Sequence, residues 1–232
     1  MSVSLAVGAR PTQPAQMTAL SAASWTVQAE TVSGEAFELS GTRLHVVPDR
    51  EIYAEGDEAR SFYKVISGVV RTCRFLNDGR RQIEAFHRAG DVFGFEAGAV
   101  HQLTAEAVSE CVVMAYRRRG LETMVAHDDR LGRWFFSHAM TVMARLREHA
   151  MLLARASAAQ KISTFLLEAA AQEGGNTLEL PMSRQDIADY LGLTIETISR
   201  TMTSLQDDQL IALTSSRQVL LRDRPALLDL AA

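Results

Sequence analysis

Cysteine is scarce in this sequence, and its scarcity argues against two kinds of chemistry. Cys73 and Cys111 are the two cysteines among 232 residues, and both stand in apolar contexts, RTCRF and SECVVM. Such contexts suit buried thiols in a reducing compartment better than a disulfide. Two isolated cysteines without a CxxC pair cannot hold an iron–sulfur cluster by themselves. We therefore expect neither a disulfide framework nor a cluster.

Long apolar runs are also absent, and so is a secretory leader. No stretch reaches the roughly 18 apolar residues that span a bilayer, and the opening MSVSLAVGARPTQPAQ has no basic region followed by an apolar one. We expect a cytoplasmic protein without membrane contact. Small and polar residues at the start predict a flexible tail over residues 1–28.

An excess of basic charge is missing as well. The chain carries a net charge of −4, and residues 181–224 hold five arginines against six acids. Long-range attraction to a nucleic acid is therefore expected to be weak. Contact with DNA would depend on a local positive face formed by Arg184, Arg200 and Arg217, helped by helix N-termini that point at phosphates.

The segment 29–120 has the pattern of an antiparallel β-roll of the jelly-roll type. Short β-type runs, SFYKVI, VVRTCRFL and RQIEAFH, alternate with glycines at intervals of about eleven residues. The sequence NDG at 77–79 predicts a hairpin turn, because these residues tolerate a positive φ. A last strand is predicted over 106–118.

Helical spacing replaces this pattern over 121–156. Apolar residues there step by four and three, which is the heptad spacing of a helix–helix seam. A single face packed on the protein's own core would give the same spacing, but a helix of about 40 Å with a second apolar flank favours a dimer. The predicted dimer interface consists of Phe135, Ala139, Val142, Leu146, His149 and Leu153.

The remaining segment, 157–232, has the sequence pattern of a winged helix-turn-helix. Ser183 is a natural N-cap with Asp186 three residues later, and Gly192 permits a left-handed turn before a second helix capped by Thr194. The run IALTSSRQVLLRD predicts a two-stranded wing. The fold class is therefore α+β: a β-roll, a long helix and a winged helical module.

The second helix of the motif is predicted to turn a polar face outward. Ile198, Met202 and Leu205 recur at the spacing of a buried stripe. Arginine can grip guanine O6 and N7 together, glutamate can accept from cytosine N4, and an apolar tip suits a thymine methyl. Glu196 and Arg200 would also suit a plain surface ion pair, but that reading leaves the capped helix, turn and wing unexplained.

The whole pattern resembles the CRP/FNR superfamily of bacterial transcription regulators over residues 30–225. Glu196, Ser199 and Arg200, within IETISR, match the FNR-type recognition helix that reads a TTGA-like half-site. Within the superfamily the chain is similar to the FixK group. The resemblance implies a homodimeric activator of microaerobic, respiratory or nitrogen-fixation genes that binds a TTGA/TCAA-like palindrome and contacts RNA polymerase.

We assign the site residues on this basis. The predicted base-reading residues are Ile195, Glu196, Ser199 and Arg200. The predicted contacts to the DNA backbone are Ser183, Arg184, Thr194, Thr197, Thr203 and Arg217. Because Ser183 is expected beside a phosphate, a negative charge placed on it would repel DNA. No catalytic or metal-binding residue is expected.

The sequence also departs from the superfamily's ligand-binding members. Gln102 and Leu103 stand about where a cyclic-nucleotide receptor has an Arg-Ser pair, and the N-terminus has no cluster-binding cysteines. A buried phosphate without a cationic partner would be costly. We therefore expect a β-roll without a cofactor, and a protein controlled by its abundance.

Two alternatives remain. A haem- or small-molecule-gated sensor on the same scaffold would need an axial ligand, for which Cys73, His87 and His101 are candidates. A cupin-type enzyme would need clustered histidines, and His45, His87 and His101 are too scattered for that. We expect no enzymatic activity.

Overall fold

The computed structural model describes residues 41–155 and 157–232. The predicted tail at 1–28 and the predicted start of the β-roll at 29–40 lie outside these ranges. Within the described ranges, no helix combines the length and the apolar character needed to cross a bilayer.

The described part of the β-roll is a sandwich of two antiparallel sheets, as the alternating pattern predicts. One sheet has the order β1-β8-β3-β6 and the other the order β2-β7-β4-β5. The inner faces enclose a core that includes Val65, Val70 and Val113, each fully buried. The strands are β1 (Thr42–Val46), β2 (Glu51–Tyr53), β3 (Ser61–Ser67), β4 (Val70–Phe75), β5 (Arg81–His87), β6 (Val92–Phe93), β7 (Thr104–Ala107) and β8 (Cys111–Arg117).

The strand predicted over 106–118 is wrong, because that segment contains parts of two strands in different sheets. β7 pairs with β4, whereas β8 pairs with β3. The chain crosses between the sheets at 108–110, where the Val108 amide donates to the Val69 carbonyl at 2.8 Å. Both strands face one core, and in the sequence the crossing is marked by the short polar pair Ser109-Glu110.

Two helices follow the β-roll where one segment was expected. Helix α1 (Arg118–His127) ends before Asp128, and helix α2 (Asp129–Arg155) has 27 residues. The Asp128 carboxylate accepts from the Arg130 amide at 2.8 Å and so caps the start of α2. Leu131 packs with Phe62 and Tyr116 of the β-roll, which holds the first turns of α2 against the sandwich.

The winged module, residues 157–232, forms a compact core of helices and a small sheet. Its elements are α3 (Ala158–Glu173), β9 (Thr177–Glu179), α4 (Arg184–Leu191), α5 (Ile195–Asp207), β10 (Ile211–Leu213), β11 (Gln218–Leu221) and α6 (Arg224–Ala231). The sheet order is β10-β11-β9, which confirms the predicted wing. Helix α6 was not predicted, although Asp223 caps it and Pro225 lies in its first turn.

The turn between β3 and β4 yields a stability prediction. Gly68 has a φ of +83°, and a Cβ there would collide with the Glu110 carbonyl oxygen and lie 2.7 Å from Cys111 Sγ. Gly79 has the same φ of +83° but faces open space. We expect Gly79→Ala to lower the free energy of unfolding by about 1 kcal/mol and Gly68→Ala by about 2 kcal/mol more. Denaturant titration of both variants measures this difference, and equal losses would contradict the close approach at Gly68.

Candidate nucleic-acid interface

Helix α5 stands on a buried stripe and turns its other face to solvent. Ile198 is fully buried, and Met202 and Leu205 are 1% and 2% exposed. The predicted outward residues are all exposed: Ile195, Glu196, Ser199, Arg200 and Thr203. The predicted amphipathic character of this helix is therefore confirmed, and within the described part of the chain its outer face is exposed to solvent.

Thr194 caps the start of α5 and contacts Glu196 in its first turn. Its hydroxyl accepts from the Thr197 amide at 3.3 Å, which satisfies one free donor of the first turn. The pKa of Glu196 lies below its ordinary value because its own backbone amide, the Thr194 hydroxyl and the charge of Arg200 stabilise the carboxylate. Glu196 thus presents a charged acceptor one helical turn from a charged donor.

Helix α4 is held at both ends as the sequence predicts. The Ser183 hydroxyl accepts from the Asp186 amide at 3.0 Å, and the Asp186 carboxylate accepts from the Ser183 amide at 2.9 Å. This is a capping box with aspartate at its third position. At the other end Gly192 has a φ of +62° and opens the turn into α5.

The predicted backbone contacts differ in exposure. Ser183, Thr194 and Arg217 are exposed, and Arg217 lies in the turn of the wing. Arg184 is half-buried, and among the described residues its buried Nη1 finds no hydrogen-bond acceptor. Burial lowers the pKa of this arginine. The hydroxyl of Thr203 donates to the Ser199 carbonyl at 3.0 Å.

Two acids of the motif face the β-roll rather than solvent, which sequence reasoning missed. Arg81 Nε donates to Asp189 Oδ2 at 2.8 Å, and Arg71 Nη1 donates to Asp186 Oδ1 at 3.1 Å. We call Arg71, Arg81, Glu106, Asp186 and Asp189 the Asp186 cluster. Because Asp186 and Asp189 pair with arginines of the β-roll inside this cluster, the five arginines of 181–224 face four acids outside it.

The predicted dimer seam of α2 is divided between two environments. Phe135 packs edge-on against Phe95 of its own β-roll with ring centroids 5.2 Å apart. His149 stacks on Tyr190 of α4 at 4.2 Å, and Leu153 lies beside Gly192. These three positions are occupied within the protomer, because the flank of α2 that carries them faces the β-roll and the winged module.

An exposed apolar stripe lies next to that flank. It follows the same heptad spacing but is rotated around α2 toward solvent. Phe136 is 68% exposed, Met143 40% and Leu146 41%. The stripe consists of Phe136, Ala139, Met143, Leu146 and Ala150, and Met140, Val142 and Met151 flank it.

Aromatic side chains fill the interior of the β-roll. His101 stacks on Tyr53 at 3.6 Å, and Tyr53 also stacks on Tyr63 at 5.4 Å and on Phe93 at 6.2 Å. Burial, followed by the charge of Glu96, raises the pKa of Tyr53. These rings occupy the space between the two sheets.

An arginine from another strand approaches Gln102, although the stretch FGFEAGAVHQLTAEA itself contains none. Arg74 of β4 donates to the Gln102 carbonyl, and its Nε lies 3.1 Å from Glu55 Oε1. A second carboxylate, Glu96, accepts from the Gln102 amide at 2.9 Å. The local charge is therefore balanced by acids already in place.

The three candidate haem ligands lie in the β-roll with other partners. Cys73 Sγ approaches Glu106 at 3.8 Å, and burial together with that carboxylate raises the pKa of Cys73 to about 12. His87 Nε2 lies 3.0 Å from the Thr72 hydroxyl. His101 is 2% exposed beneath Tyr53. In the ranges 41–155 and 157–232, no three His, Cys, Asp or Glu residues are grouped as metal ligands.

Comparison with known proteins agrees with this architecture. The Crp-like helix-turn-helix domain family matches residues 160–230, and the cyclic nucleotide-binding domain family matches residues 43–128. The chain belongs to the CRP/FNR family of transcription regulators. It is a FixK-like regulator with a helix-turn-helix DNA-binding domain.

Relatives of this kind cover most of the chain. The nitrogen fixation regulation protein FixK of Azorhizobium caulinodans is 44% identical over 81% of this chain and 78% of its own length. FixK of Rhizobium meliloti is 45% identical over 78% of this chain and 84% of its own length. The structure of FixK2 from Bradyrhizobium japonicum superposes with a TM-score of 0.79 at 39% identity, covering 83% of this chain and 98% of that one.

Proposed function

We propose that this protein is a homodimeric activator that binds a palindrome with TTGA and TCAA arms and controls microaerobic, respiratory or nitrogen-fixation genes. The observation that carries the proposal is the polar outer face of α5, on which Glu196 and Arg200 lie one turn apart. Similarity to regulators named for nitrogen fixation supports the choice of genes. The protein acts in the cytoplasm, at promoters where it contacts RNA polymerase.

The first turns of α5 supply the base contacts. Arg200 grips a guanine through O6 and N7, and Glu196 accepts from cytosine N4 on a neighbouring pair. Ile195 is 37% exposed at the tip of the helix and contacts a thymine methyl, while Ser199 completes the reading surface. The N-terminal part of a recognition helix is the part that reaches base edges in the major groove.

Residues around this face hold the DNA backbone. Among the described residues the buried Nη1 of Arg184 has no hydrogen-bond acceptor, and rotation of this half-buried side chain toward the DNA lets it donate to a phosphate oxygen. Arg217 on the wing reaches the flanking phosphate as a second cation. The hydroxyl residues that complete the backbone contacts are Ser183, Thr194, Thr197 and Thr203.

The dimer forms through the exposed stripe of α2. Phe136, Met143 and Leu146 repeat at heptad spacing on a helix of 27 residues. Apolar residues in that spacing are buried when a second helix packs in parallel. Of the sequence-predicted interface, Ala139, Val142 and Leu146 belong to this contact, and Phe135, His149 and Leu153 support it from within each protomer.

DNA binding needs no ligand in the β-roll. Stacked rings of Tyr53, Tyr63 and His101 fill the interior, and the carboxylate of Glu96 stands beside Gln102. A cyclic phosphate would face an acid there rather than a free cation. This arrangement supports regulation by abundance over a haem- or small-molecule-gated sensor.

Selection of binding sites from random DNA tests the base-reading assignment. The wild type should select a palindrome with TTG and CAA arms. Arg200→Ala should lose preference at one guanine per arm, with a cost of about 1–3 kcal/mol for each half-site. Arg217→Ala should select the same sequence, bind it more weakly and show a salt slope smaller by about one for each half-site, or about two for the dimer. An unchanged consensus for Arg200→Ala would contradict the assignment.

Sedimentation equilibrium tests the dimer. Met143→Arg places a charge in the centre of the exposed stripe and should give monomers that bind a single half-site with wild-type base preference. Glu148→Arg introduces the same residue on another face of α2 and serves as the control, which should remain dimeric. A dimeric Met143→Arg protein would move the interface away from this stripe.

A charge at Ser183 should weaken DNA binding. Asp and Asn are both good N-caps, so Ser183→Asp and Ser183→Asn differ mainly in charge. Asp at this position faces a phosphate and the carboxylate of Asp186, which now accepts from the Ser183 hydroxyl at 2.7 Å. We expect Ser183→Asp to bind the palindrome at least about tenfold more weakly than Ser183→Asn, measured by fluorescence anisotropy. Equal affinities would show that Ser183 lies away from the phosphate.

A further inference from the structure

The Asp186 cluster joins the β-roll to α4, the first helix of the DNA-binding motif. Its cations lie on the sheet β2-β7-β4-β5, with Arg71 in β4 and Arg81 at the start of β5. Its acids are Asp186 and Asp189 on α4 and Glu106 on β7. None of these residues belongs to the proposed DNA-contacting set.

Asp186 stands at the centre of the cluster because its two oxygens serve different elements. Oδ2 accepts from Ser183 and closes the capping box of α4. Oδ1 accepts from Arg71 at 3.1 Å and also from Arg81. The cap that starts the motif is thus bonded directly to the β-roll.

The arginines are themselves held in place by the sheet. Arg71 lies directly opposite Glu106 in the pairing of β4 with β7, and its Nε donates to Glu106 Oε2 at 2.7 Å. The side chains of Arg71, Asp186 and Asp189 are 8%, 6% and 11% exposed. A charged hydrogen bond of this kind requires a defined direction at both ends, so the cluster accepts one orientation of α4.

Apolar packing beside the cluster holds α4 against the sheet, but it fixes the orientation of α4 less strictly than the charged hydrogen bonds do. Tyr190 contacts Phe86 of β5 at 5.3 Å, His149 of α2 at 4.2 Å and Phe165 of α3 at 6.0 Å. Ring pairs can adopt offset-stacked or edge-to-face arrangements over a range of centroid distances, so they are less directional than a charged hydrogen bond. Buried ion pairs contribute little net stability, and their best-attested role is to select one register.

We propose that Arg71 and Arg81 are positioning residues for operator recognition, which fix the winged module on the β-roll through Asp186 and Asp189. The pairing holds the two recognition helices of a dimer at the separation of a palindrome, about 34 Å, with no effector bound. Without it, the module keeps the chain connection between Arg155 and Ala158, the apolar packing of Val69 and Phe86 on its core and the peripheral Arg88–Glu173 pair at 2.9 Å, none of which bonds to the cap of α4. This inference rests on the proposed function.

Operator spacing is the property that tests it. The probes are duplexes with the TTGA/TCAA arms at native spacing, with one or two base pairs inserted between the arms, and with one arm alone. The variants are Arg81→Ala, Asp189→Asn and the reversal pair Arg81→Asp with Asp189→Arg. Arg80→Ala is the matched control, because Arg80 is adjacent but pairs within the hairpin with Asp78 at 2.7 Å.

The wild type and Arg80→Ala should prefer native spacing strongly. Arg81→Ala and Asp189→Asn should lose about tenfold of that preference while binding one arm as the wild type does, and the reversal pair should regain it. Unchanged spacing preference in both single variants overturns the inference. A single variant that fails to bind the one-arm duplex is judged by the reversal pair. If the reversal pair binds again and prefers native spacing, the inference is supported. Any other behaviour of the reversal pair overturns it. A wild type without palindrome preference would instead refute the proposed function.

Discussion

The carboxylate of Asp186 is the interaction on which the arrangement of the molecule depends. One oxygen starts helix α4 through Ser183, and the other accepts from arginines of the β-roll. Burial raises the pKa of Asp186, but the hydrogen bonds from Ser183 and the charges of the two arginines outweigh it, so the pKa lies below its ordinary value. Asp186 therefore stays charged and keeps both sets of partners near neutral pH.

The position of α5 follows from that of α4. Ile187, Ala188 and Leu191 of α4 and the inner stripe of α5 share one core, and the turn at Gly192 sets the angle between the helices. Because the inner face of α5 is consumed by this core, its polar face must point to solvent. A β-roll filled by its own aromatic rings gives the module a rigid support, since close-packed interiors transmit position rather than absorb it.

The local features of the fold could be predicted from the sequence, and the docking of its parts could not. Local features depend on neighbours within a few residues, so the sequence predicts them. They are the caps at Ser183 and Thr194, the glycine turn and the buried stripe of α5. The crossing at 108–110 was missed because its three residues, Val108, Ser109 and Glu110, make a shorter break than the glycine turns that separate the other strands. The Asp223 cap and the proline at the start of α6 are local signals of the same kind.

The face of α2 shows a different limit. Heptad spacing correctly predicted a long amphipathic helix, but adjacent stripes on one helix have the same period. The contacts of Phe135 and His149 show which stripe is covered by the protein's own β-roll and winged module. In the same way Asp189 resembles any surface acid in the sequence. Its role comes from Arg81, which lies far away in the chain and is brought near only by the packing of the sheet against α4.

The most direct test is the distance between the two recognition helices in solution. A spin label can be attached at Gln206→Cys, an exposed position on α5, because both native cysteines are buried and should not be labelled. Pulsed electron resonance then measures the distance between the two labels of a dimer. We predict one narrow distance distribution for the free dimer that stays unchanged when operator DNA is added. A broad distribution that narrows only on DNA would contradict the account, because it would mean that DNA, and not the β-roll, sets the positions of the helices.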